Sequence, residues 1–73
     1  MEIMINDGGV KVKLSEKEGI GYILMNTMEG LKPVTMWTRD WRGEWSEFQV
    51  GDVPKDREKE FKSRRAEVLR FIK

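Results

Sequence analysis

Glycine punctuates this chain at near-regular intervals. Gly8, Gly19, Gly30, Gly43 and Gly51 recur about every 8–13 residues. Short strands separated by turn signals at that spacing predict a β-meander folded into a small sandwich or barrel. The rhythm runs from the N-terminus to Gly51 and then stops, so the meander is assigned to residues 1–51 and a different element to 52–73.

The first hairpin is the firmest reading. Glu2–Asn6 leads into Asp7-Gly8, and Gly9–Leu14 returns. Asp-Gly suits a type I′ turn, whose two central residues both need positive φ. That turn sets Ile5 opposite Val10 and Ile3 opposite Val12. Leu14 continues the same face by the two-residue period, and Lys11 and Lys13 point the other way.

Residues 15–30 admit two readings. Ser15-Glu16-Lys17-Glu18 fits a helix capping box, and Ile20, Ile23, Leu24, Met28 and Leu31 have near-helical spacing. Gly19 and Gly21 would then lie inside the helix, each costing roughly 1 kcal/mol relative to alanine. The alternative makes Glu16–Gly19 a tight turn and Ile20–Asn26 a strand, with the run Tyr22–Met25 buried on both faces. The glycine rhythm favours the strand.

Pro33 cannot donate to a sheet ladder, so the next strand is expected to begin at or after it. Val34–Arg39 and Glu44–Val50 then form a hairpin around a loop at Asp40–Gly43. One register pairs Trp37 with Phe48. The next pairs Met36 with Phe48 and Val34 with Val50. A one-residue slip exchanges the buried face for the exposed one. Trp37 and Phe48 are expected to be packed. Met4, Met25, Met28 and Met36 are expected mainly to fill irregular core space, with Met28 also suited to an adaptable surface.

Residues 52–73 read as a helix. Asp52 or Val53 would cap it and Pro54 suits its first turn. Glu58 with Lys62 and Glu60 with Arg64 are ordered as i,i+4 ion pairs. Phe61, Val68, Leu69 and Ile72 fall on one arc that should dock on the sheet. Lys55, Lys59, Lys62, Arg70 and Lys73 fall on a second arc, and Asp56, Glu60 and Glu67 on a third. The first two turns carry few apolar residues and are expected to project or fray.

Composition narrows the chemistry. With 73 residues the chain is one domain, and its core is too small to make the monomer more than marginal. It has no cysteine and no histidine. Disulfides, thiol nucleophiles, imidazole bases and most transition-metal sites are therefore excluded. The glycines match no phosphate-binding loop or dinucleotide fingerprint. The chain is expected not to be an enzyme and to need no cofactor or metal. Association as a homodimer is the expected extra source of stability. The net charge is +1. No segment is long or apolar enough for a membrane span, and the N-terminus lacks the basic start of a secretory signal. A soluble, cytoplasmic protein is expected.

The expected fold is α+β: a strongly bent antiparallel meander of about five strands, an SH3-like half-barrel, followed by one C-terminal helix. At the level of architecture alone this is similar to small SH3-like chromatin proteins that also end in a helix, although the lysine excess such a role implies is missing here.

The stretch Trp37–Phe48 holds all three tryptophans. Trp41 sits at the hairpin tip between Asp40 and Arg42, where core burial is hardest. Exposed tryptophan and arginine are typical interface anchors. The expected function is a non-catalytic binding module, a regulatory, adaptor or inhibitor-type protein. It would contact a protein partner through Arg39, Trp41, Arg42 and Trp45. The alternative is nucleic-acid binding by Arg39, Trp41 and Arg42 together with Lys55, Lys59 and Lys62 on the helix. The neighbouring acids and the balanced charge favour the protein partner.

Overall fold

A computed structural model describes residues 2–72. The chain forms an α+β domain: five antiparallel strands and then one C-terminal helix. The strands are β1 (Glu2–Asp7), β2 (Val10–Ser15), β3 (Ile20–Thr27), β4 (Gly30–Arg39) and β5 (Trp45–Gln49). They pair in sequence order. The sheet is open, with β1 and β5 as its two edges, so it is not closed and the expected SH3-like half-barrel is not confirmed. A 3-10 turn, Lys55–Arg57, leads into the helix α1 (Glu58–Ile72).

The first hairpin turns at Gly8-Gly9 rather than at Asp7-Gly8. Gly8 has φ +55° and Gly9 φ +85°, the two positive values a type I′ turn requires. Ile5 therefore faces Val12 and Ile3 faces Leu14, two residues further along than expected. A slip of two leaves every side chain on its expected face. Residues 15–30 take the strand reading. Gly19 N–H donates to Ser15 O (2.9 Å) to close the turn, and the Ser15 hydroxyl accepts from Glu18 N–H (3.1 Å) as a capping serine would.

Pro33 lies within β4, not before it. It stands opposite Leu24 where the β3–β4 register shifts, and that bulge is a site a proline tolerates. The second hairpin takes the register that pairs Met36 with Phe48 and Trp37 with Glu47. Trp37 is buried as expected, but Phe48 is 50% exposed because this register turns it to the other face. Met25 is a core residue. Met4 and Met28 are exposed and Met36 is half-buried, so only one of the four fills the interior.

The core is one-sided. Val10, Val12, Leu14, Ile23, Met25 and Trp37 line one face of the sheet, Val34 fills the bulge, and Val68 of α1 covers them. Phe61 and Ile72 pack at the margin, with Val53 from the connection. Gly21 stands in the ladder between Leu14 and Trp37. A Cβ at Gly21 would lie 2.7 Å from the buried Leu14 Cδ1. The run Tyr22–Met25 is thus buried on one face only. Ile23 and Met25 point inward, and Tyr22 and Leu24 are half-buried on the uncovered face.

Arginines fasten the helix to both sides of the sheet. Arg64 pairs with Asp7 of β1 (3.1 Å), and Arg57 donates to Gly8 O (3.0 Å). On the other side Arg65 Nε donates to both Glu47 oxygens (3.1 and 3.0 Å). Glu47 also accepts from the Trp37 indole N–H (3.0 Å), so a single carboxylate satisfies the buried indole and holds the helix. The expected pairs Glu58–Lys62 and Glu60–Arg64 do not form. Arg57–Glu60 and Arg64–Glu67 form instead, and both arginines also reach the β1–β2 hairpin. The start of the helical segment is consequently anchored rather than projecting. Lys73 of the basic arc lies outside the described residues.

Glu47→Ala leaves the Trp37 N–H without its acceptor and Arg65 without its partner. It is expected to lower the unfolding free energy by about 1–3 kcal/mol in urea denaturation, with Glu47→Gln costing less. Equal losses for the two variants would contradict the hydrogen-bonding role.

Candidate functional site

The tip of the β4–β5 hairpin is built by one aspartate. Gly43 N–H donates to Asp40 O (3.0 Å), closing a turn over Trp41 and Arg42, and Gly43 takes φ +83° as the chain rejoins the ladder. This is a turn followed by a glycine bulge. The Asp40 carboxylate locks it. Its Oδ1 accepts from Arg42 N–H (2.9 Å) and Glu44 N–H (3.0 Å). Its Oδ2 receives the Arg42 guanidinium (3.1 Å).

These donors stabilise the charged form of Asp40. The Glu44 backbone N–H acts most strongly, and the Asp40 pKa is held below its ordinary value of 3.8. The lock is thus fully present above the ordinary carboxylate range and is lost as pH falls through the depressed value.

Trp41 projects from this frame and is 92% exposed. The Arg42 guanidinium lies 5.7 Å from the centre of its ring. Arg42 is also bound by carboxylates on both sides, Asp40 at 3.1 Å and Glu44 at 3.5 Å. The tip therefore presents a large ring with its neighbouring charge neutralised. It offers an apolar contact more readily than a phosphate contact.

The remaining candidate residues are placed differently. Arg39 is half-buried. Its guanidinium donates to Glu16 O in the β2–β3 turn and stacks over Trp45 at 5.6 Å. Trp45 is half-buried against the core, in a groove shared with Trp37, Leu69 and Ile72. Arg39 and Trp45 thus fix the base of the hairpin. Lys55, Lys59 and Lys62 are exposed and form no salt bridge among the described residues. They lie on the opening turns of the helical segment, which stand beside Asn26 and Met28, whereas its last turn reaches Gly43. Lys55 and Lys59 accordingly lie away from the tip, toward the other end of a molecule 37 Å long, while Lys62 stands midway, in a groove with Glu47 and Gln49 of β5. The structure does not join them into one surface.

Asp40 as the organiser of the tip was missed in the sequence, although the signal is local: an Asp with Gly three residues later around a turn. Among the described residues no three acidic side chains converge as a metal site, and no helix is long and apolar enough to cross a membrane. Comparison of the chain with family models, with curated proteins and with solved structures yields no match.

In a pH titration by NMR, the Arg42 and Glu44 amide shifts are expected to follow Asp40 with a midpoint below 3.8. A midpoint at or above that value would show that the lock does not hold in solution. Asp40→Ala is expected to speed exchange of both amides about tenfold or more.

Proposed function

We propose that this protein is a non-catalytic binding module, an adaptor or regulatory protein of the cytoplasm, and that it contacts a protein partner through the β4–β5 tip. The observation that carries this reading is Trp41. A tryptophan 92% exposed sits on a turn whose backbone is already braced by Asp40, which lowers the ordering cost of binding there. Tryptophan beside arginine is the composition of interface anchors. The two carboxylates on Arg42 argue against a phosphate backbone at this point. Nucleic-acid binding through the tip and the helix lysines together loses support from the distance of Lys55 and Lys59 from the tip.

The test uses wild type and Trp41→Ala as paired baits, followed by affinity measurement with the purified partner. Trp41 makes no core contact, so the variant is expected to keep the wild-type melting curve and to lose affinity about 30-fold or more. Retention of every partner by Trp41→Ala would remove the tip from the binding surface.

A further inference from the structure

The face of the sheet turned away from α1 carries an apolar row among polar side chains, and no helix lies over it among the described residues. The cross-strand register aligns Met4, Lys13, Tyr22, Met36 and Phe48 in one row across all five strands. Leu24 and Pro33 stand side by side in the next row, with Lys11 beyond them. Met4 is 72% exposed and Phe48 50%. Tyr22, Leu24 and Met36 are half-buried. A sheet normally keeps such side chains for a covered face and turns polar ones to water. One helix can cover only one side of this sheet, and Val68, Phe61 and Ile72 commit it to the other.

We infer that a second copy of this chain covers this face, sheet against sheet, with Phe48, Met36 and Tyr22 at the centre of a symmetric interface. Three observations select this occupant. The first is charge. Lys11 and Lys13 are the cations of the face, Glu2 stands on the same face, and Glu18 pairs with Lys13 at 3.1 Å. The face is near neutral, which gives a polyanion little to hold and a second copy little to repel.

The second observation is area. Strands of five to ten residues, set about 4.8 Å apart, give a footprint of about 500 Å², and the corrugated side-chain surface over it is larger. That approaches the roughly 800 Å² per partner of a stable interface. The third is the core. Among the described residues, Val68 is the one fully buried apolar side chain from outside the sheet, with Val53, Phe61 and Ile72 only partly buried, so the monomer's interior is small. The tip lies outside this face, so a dimer would display two copies of Trp41 and bind a repeated partner with avidity.

The test is sedimentation velocity on the full chain at about 100 µM, with melting temperature followed against concentration. Wild type is expected at twice the chain mass, with a melting temperature that rises with concentration. Phe48→Lys counts twice in a symmetric interface and is expected to weaken the dimer at least about a hundredfold. Met4→Lys, at an exposed position of the same row, is expected to weaken it in the same direction and serves if Phe48→Lys does not fold. Trp41→Ala is expected to dimerise as wild type does, which separates this inference from the role of the tip. Phe71→Lys, on the outer side of α1, is also expected to leave the dimer intact. A monomeric wild type overturns the inference. So does a dimer broken by Phe71→Lys and untouched by the two sheet variants. A monomer whose Phe48 and Tyr22 resonances shift with a single-stranded oligonucleotide overturns it too, in favour of nucleic acid.

Discussion

The position of Trp37 decides the rest of this structure. Its ring is buried on the inner face of β4, with Gly21 opposite it in the ladder. A buried indole N–H needs an acceptor, and the register supplies one directly across the ladder in Glu47. Arg65 then grips the same carboxylate and draws α1 over that face. Once Trp37 points inward, the pleat sends Met36 and Phe48 outward, and the helix has no second side with which to cover them. The buried ring, the docked helix and the bare outer face therefore follow from a single register.

The two hairpins differ in how much of this was legible in the sequence. In the first, the turn was placed one residue early and the pairing moved by two. The inward side chains Ile3, Ile5, Val10, Val12 and Leu14 were still on their expected face, because parity survives an even slip. In the second, the competing registers differed by one residue, and parity was the very quantity in doubt. Phe48 was consequently misplaced. The acceptor for Trp37 was not legible, since Glu47 reads as one exposed acid among many until the ladder sets it opposite the indole. The backbone contact of Arg39 was hidden for a similar reason. Its bond to Glu16 O joins residues far apart in sequence, and only the folded β2–β3 turn brings them together. Trp41 was legible because a hairpin tip is exposed whichever register the strands adopt.

The two surfaces left over have different characters. The tip is small, rigid and ringed by paired charges, which suits an anchor entering a pocket of another protein. The outer sheet face is broad and near neutral, with an apolar row from Met4 to Phe48, which suits a flat contact with its own kind. In a chain of 73 residues without disulfides, burying the second surface would add the stability that one helix on one face cannot supply. Self-association would then be part of folding, and the tip would be the part of the molecule left free for recognition.

Hydrogen exchange of the three indole N–H groups, read by NMR on the wild-type protein, bears on the register itself. The structure requires the Trp37 indole to be strongly protected through its bond to Glu47, while Trp41 exchanges at the rate of a free side chain. A Trp37 indole that exchanges as fast as Trp41 would place that ring outside. The opposite register would then hold, with Phe48 inside, and both the core and the outer face described here would be wrong.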